Sequence, residues 1–230
     1  MGSIRQRLNK RVSDAVRSSK IFEPFLIARR QRLVNQARKE MEGKTFTYGN
    51  ISLPYFYHVY NSTYGSERAI EISIGKHFIE THDDVLEIGN VLSHYIPVSH
   101  PIVDKYERAP GVRNEDVVDI KDRHRNIISI STLEHVGWDE DGKDHTKFLM
   151  ALNNLKSLVD GGTLLFTVPW GYNPSVDEFI KSFPGKMTLY YRDGREWKAG
   201  NLEDIKDKTV GSKYPNANAV AVIEIQAPAT

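Results

Sequence analysis

Apolar residues along this chain fall into two kinds of pattern, and the difference between them predicts the elements. Ile4, Leu8, Val12, Ala15 and Val16 recur at helical spacing, and a second helical series covers residues 25–41. A third helix is predicted over residues 66–82, with Ser66 as its N-cap and Ala69, Ile70, Ser73, Ile74, His77 and Phe78 on a mostly apolar face. Phe148, Leu149, Leu152, Leu155, Leu158 and Val159 define a fourth, stopped by Asp160-Gly161-Gly162, and residues 175–183 a fifth. Short, continuous apolar runs at 85–88, 101–103, 126–131 and 163–169 read instead as buried strands, followed by strands at 187–191 and 218–226. Strands that alternate with helices in this way indicate a doubly wound α/β sheet.

Charge changes the picture at the N terminus. Over all 230 residues the formal net charge is only +1, yet residues 1–44 hold 12 Lys/Arg against 4 Asp/Glu, leaving the rest of the chain acidic. We divide the chain into a basic helical arm, 1–44, and a body, 45–230. An arm of this kind docks on its own body, on a second copy of the chain or on a partner, or makes peripheral contact with a membrane surface. The body shows no nucleic-acid-binding surface in its sequence. It begins with an aromatic segment, 45–66, in which Leu53-Pro54-Tyr55-Phe56-Tyr57-His58-Val59-Tyr60 suits either the grip on a sugar or ordinary packing. The chain has no cysteine, which excludes disulfides and thiolate chemistry. No run reaches the ~20 apolar residues of a membrane span, and a cytoplasmic location is expected.

Candidate chemistry gathers where strands end. Glu87 closes the run at 85–88, and Gly89 permits a sharp turn beside a ligand. Asp104 ends the next strand about 17 residues further on, close to the interval at which a nucleotide-binding sheet offers an acid to ribose hydroxyls. Asp116, with Asp119 as rival, could accept from an exocyclic amine. Ser129-Ile130-Ser131-Thr132-Leu133-Glu134-His135-Val136 follows the fourth strand.

The strand–Glu87-x-Gly89 turn, the strand-terminal Asp104 and above all Leu133-Glu134-His135 resemble class I S-adenosylmethionine-dependent methyltransferases, over about residues 67–226. Val91 and Ser93 stand where that family carries its second and third motif glycines. The resemblance implies a seven-stranded, mostly parallel Rossmann-like sheet with an antiparallel final strand. It implies S-adenosyl-L-methionine as cofactor, bound by Glu87, Gly89, Asn90, Asp104, Asp116 and Ser131. His135 would act as general base with Glu134 orienting it or the acceptor, a structural histidine being the alternative. Some relatives use the Glu-His pair for a divalent metal, with an acid three residues earlier. Here that position is Ser131, so no metal ligand is assigned, although Asp139, Glu140 and Asp144 offer hard oxygens. The stretch from Tyr60 to Ala69 resembles methyltransferases of polysaccharide synthesis, which implies a sugar or glycan acceptor touched by Tyr57, Tyr64, Arg68 and Trp170. An RNA acceptor held by the basic arm, and a non-catalytic binding protein on the same fold, are the alternatives.

Overall fold

The computed structural model describes residues 23–211 and 216–228. The helix expected around Ile4 to Val16 lies outside them. The second expected helix is α1 (Glu23–Glu40), and its buried Val34 and Ala37, with Met41 just beyond, pack on Tyr57 and Ala69 of the body. Arg38 reinforces the docking by donating to the Tyr57 carbonyl at 2.7 Å.

The aromatic segment opens with a two-stranded antiparallel hairpin, β1 (Thr45–Tyr48) and β2 (Ile51–Pro54). Tyr55 follows it, and its hydroxyl accepts from the Trp197 N–H at 2.9 Å. α2 (Arg68–Thr81) begins two residues later than expected. Its N-cap is Glu67, without a side-chain cap, because the Ser66 hydroxyl faces the Asn61 carbonyl instead.

The main sheet contains β3 (Val85–Ile88), β4 (Ile102–Val103), β5 (Val112–Arg113), β6 (Asn126–Ile130), β7 (Thr163–Pro169), β8 (Lys186–Asp193), β9 (Glu196–Gly200) and β10 (Ala219–Gln226). Their order is β5-β4-β3-β6-β7-β10-β8-β9, with the first five strands parallel. β3, β6 and β7 are buried at every position, as strands covered on both faces must be. Alternate residues feed two cores. Ile128, Ile130, Val220 and Val222 meet Ile70, Ile74 and Phe78 of α2. On the other face Ile127, Phe166, Ala221 and Ile223 meet Phe148, Leu152 and Leu155 of α3 (Lys147–Leu158) and Val176 and Ile180 of α4 (Pro174–Ser182).

The doubly wound, mostly parallel sheet with an antiparallel final strand is therefore as expected, and β10 is that strand, inserted between β7 and β8. The difference is an eighth strand: β9 forms the rim, joined to β8 by the two-residue turn Gly194-Arg195, in which Gly194 takes φ 63°. A last short helix, α5 (Leu202–Ile205), is closed by a capping box from Asn201 and Asp204.

Candidate active site

The chain leaves β3 toward β4 on one side, while β6 lies on the other. Such a switch point opens a crevice beyond the carboxyl ends of the strands. A cavity of about 660 Å³ occupies that place, and Gly89, Asp104, Asp116 and His135 are among the residues lining it. Four positions singled out from sequence thus converge on one cavity.

Gly89 has φ 85°, and a Cβ added there would lie 2.1 Å from the Thr132 hydroxyl. The turns after β3 and β6 touch at this point, so only glycine fits. Glu87 serves the same turn from inside. One of its oxygens accepts from the Val91 and Leu92 N–H groups at 3.0 and 2.8 Å, and the other meets His100 Nε2 at 2.7 Å. It is fully buried and lines neither this cavity nor the one described below. Its role is to brace the turn. Ser131 is likewise committed inward, donating to Glu71 at 2.6 Å, and lines neither cavity. Asn90 donates its N–H to Asp104 at 3.1 Å and its side-chain amide to Glu107 at 2.7 Å, so it positions the acids that face the cavity.

Asp104 follows β4. Its Oδ1 accepts from the N–H groups of Tyr106 and Glu107, both at 2.8 Å, and its Oδ2 from Asn90 alone. Oδ2 keeps a lone pair for a ligand hydroxyl. Glu107 lies beside it in the cavity wall. Asp116, rather than its exposed rival Asp119, reaches the cavity. It is bound to Lys147 at 2.6 Å and Lys105 at 2.8 Å, and both lysines also reach Glu140. Partial burial pushes the Asp116 carboxyl up, but the two ammonium groups outweigh it and hold the pKa at about 2.

The short 3-10 turn Leu133–His135 follows β6. Asn173 fixes it by donating to the Glu134 carbonyl at 2.9 Å while its own oxygen caps α4 at the Ser175 N–H. His135 is half exposed, and its Nδ1 meets Asp139 Oδ2 at 2.5 Å. The same oxygen accepts from the Tyr172 hydroxyl at 2.6 Å, and the Tyr172 ring stands edge-on to the imidazole. A neutral ring that donates Nδ1–H to Asp139 presents Nε2 as a base. The carboxylate hydrogen-bonded to the ring is that of Asp139, not that of Glu134. Glu134 is buried, lies 3.6 Å from Nε2, and its Oε2 has no hydrogen-bond partner. Burial, aided by the nearby Glu71 and Glu67, pushes its pKa well above the ordinary carboxylate range against the pull of Arg68.

Of the expected acceptor contacts, Tyr64 and Arg68 line a second cavity at the same end of the sheet. Tyr57 is buried under α1 and Trp170 in the core beside α4, and neither lines either cavity. Sequence reasoning missed Lys105, Glu107, Thr132, Lys147 and Tyr172. It noted Asp139 only as a possible oxygen ligand, although its position four residues after His135 was a usable signal. Among the described residues, no group of three or more His, Asp and Glu is arranged to hold a metal ion.

No family model matches the sequence, and no curated protein matches it. Solved structures similar to this chain include a magnesium protoporphyrin IX methyltransferase from Synechocystis PCC 6803 with bound SAM, at 9% identity and TM-score 0.38, over 66% of this chain and 77% of that one. A SAM-dependent methyltransferase from Thermotoga maritima is 13% identical at TM-score 0.40, over 67% and 86% of the two chains. Coclaurine N-methyltransferase bound to N-methylheliamine and SAH is 15% identical at TM-score 0.33, over 81% and 69%. At these identities and scores the likenesses assign no activity to the chain. The protein is defined by its own features: a doubly wound Rossmann-like fold with an acid- and histidine-lined cavity at the switch point.

Proposed function

We propose that the protein is an S-adenosylmethionine-dependent methyltransferase acting on a hydroxyl of a sugar or glycan. The observation that carries this reading is the convergence of Asp104, Asp116 and the Asp139-held His135 on one cavity beyond β3, β4 and β6. The cavity walls suit the cofactor. Ile88, Val103, Val117 and Val136 offer apolar surface for a base, while Asp104, Glu107 and Asp116 offer acceptors for ribose hydroxyls, an exocyclic amine and a positive centre. When bound, the cofactor supplies an activated methyl group. The protein's own part is alignment and proton removal: His135 Nε2 takes the hydroxyl proton, and Asp139 keeps the ring in the tautomer that can accept it. The Tyr172 hydroxyl fixes Asp139 in turn.

The test is a methyl-transfer assay over nucleotide-sugars, oligosaccharides, lipids and RNA, run beside calorimetry with S-adenosylmethionine. Asp104→Ala should weaken cofactor binding, whereas His135→Ala should leave binding intact and lower turnover by about 10²–10⁴-fold. Equal loss of cofactor affinity in both variants would overturn these assignments. Methylation of RNA alone would overturn the sugar acceptor.

A further inference from the structure

A second cavity, of about 900 Å³, contains four arginines: Arg30, Arg68, Arg192 and Arg195. Their convergence comes from the fold. Arg30 is on α1, Arg68 begins α2, Arg192 lies near the end of β8, and Arg195 is in the β8–β9 turn. The carboxyl ends of β7 and β8 and the start of β10 lie level in the sheet register, which puts this cavity at the same end of the sheet as the cofactor cavity. Arg68, in its wall, reaches toward the end of β6, the strand that leads into the first cavity. Its Nη1 pairs with Glu71 at 2.9 Å and lies 3.5 Å from the Ile130 carbonyl, two residues before Thr132 in the wall of the first cavity.

The arginines are differently held. Arg192 donates to the carbonyls of Gly65 and Gly194, which sets its fork in place. Arg195 pairs with Glu40 and also faces the Tyr64 carbonyl. Arg30 is exposed and has no acid within ion-pair distance among the described residues. Glu67 is the only carboxyl in the described wall. A second feature sets this wall apart. Asn61 and Ser62, both lining it, are consecutive non-glycine residues in the left-handed region, at φ 47° and 49°. Each such residue costs about 1 kcal/mol or more, and this kind of strain is characteristic of ligand clamps.

We propose that this cavity is an anion subsite that holds the phosphoryl group of a phosphorylated sugar acceptor, with Arg30 and Arg195 contacting the group. Guanidinium forks pair with phosphoryl oxygens two at a time, and several forks around one cavity suit three oxygens better than the two of a carboxylate. An acceptor anchored there by its phosphate directs its hydroxyls past Arg68 toward His135. The acceptor role rests on the methyl-transfer reading, whereas the anion subsite itself does not.

Calorimetry on the full-length protein with inorganic pyrophosphate, inorganic phosphate and citrate tests it. Pyrophosphate should bind, with citrate at least about tenfold weaker, and Arg30→Glu should weaken pyrophosphate by about tenfold while S-adenosylmethionine affinity stays unchanged. Arg195→Gln should act in the same direction. No heat with pyrophosphate, equal pyrophosphate affinity in Arg30→Glu, or citrate binding as tight as pyrophosphate would each overturn the subsite. The two readings fail separately. Loss of the anion result with cofactor binding intact removes only the phosphate. Intact anion binding without any cofactor binding removes methyl transfer and the acceptor role with it.

Discussion

Asp139 Oδ2 accepts from both His135 Nδ1–H and the Tyr172 hydroxyl, so one carboxylate oxygen determines which imidazole nitrogen is free. Burial pushes the Asp139 carboxyl up, but the bonds from Tyr172 and His135 prevail and keep its pKa below the usual value, hence ionised. Asp139→Asn should let the ring take the wrong tautomer and lower turnover by about 10²–10⁴-fold, with cofactor affinity unchanged by calorimetry. A parallel fall in affinity would show instead that Asp139 shapes the cavity. His135 was legible in the sequence because Leu133-Glu134-His135 is a local motif. Asp116 was legible as an acid, but its partners were not: Lys105 and Lys147 meet it only after the loops following β4 and β6 have folded over the same cavity. Glu87 and Ser131 show the converse. Their spacing matched a ligand contact, yet burial gives both to internal hydrogen bonds.

At the scale of elements, the start of α4 tethers the Leu133–His135 turn. Asn173 caps the helix at Ser175 and holds the Glu134 carbonyl, so one side chain joins helix start and site. Asn173→Ala should cost about 1 kcal/mol for the cap and about as much again for the buried bond, which lowers Tm by about 4–8 °C in a thermal melt. Turnover should fall further than the stability change explains, because the Leu133–His135 turn loses its tether. Helices α1 to α4 were legible within a residue or two, since α2, α3 and α4 each bury a stripe of regularly spaced residues, whereas the four-residue α5 was not. The two-residue β4 was read from its apolar run at 101–103, whereas β5, equally short, carries no run or period that marks it. β9 was missed although Asp193-Gly194 announces a hairpin, because Glu196-Trp197-Lys198 buries only its tryptophan.

Across the whole molecule, a chain of charge lies beneath the sheet's carboxyl end. Glu71 accepts from Ser131 and Thr167 and pairs with Arg68, while Glu134 and Glu67 lie close by. Burial and the Glu71 carboxylate push Glu67 up to about 7 from an ordinary 4.5, and Glu134 is raised as well. The folded chain therefore keeps protons that the unfolded chain releases first, and stability falls as pH rises from about 4.5 through 7. Asp116, held at about 2, acts the other way, and its contribution is lost as pH drops below about 4. Thermal melts should thus show a higher Tm near pH 5 than near pH 8, and Glu134→Gln should flatten that slope. An unchanged slope in the variant would mean that Glu134 ionises freely in the folded protein.

The meeting of Tyr55 with Trp197 bears on how copies of the chain behave when crowded together. A sheet invites endless growth wherever a rim strand leaves its backbone groups open to another chain. Here one rim, β5, is only two residues long, and at the other the Trp197 N–H is already taken by a phenol from the hairpin segment. A residue that looked in sequence like part of a sugar grip acts as a stopper. Fibre-like association through the backbone is discouraged at both ends, and contact between molecules is left to their side chains.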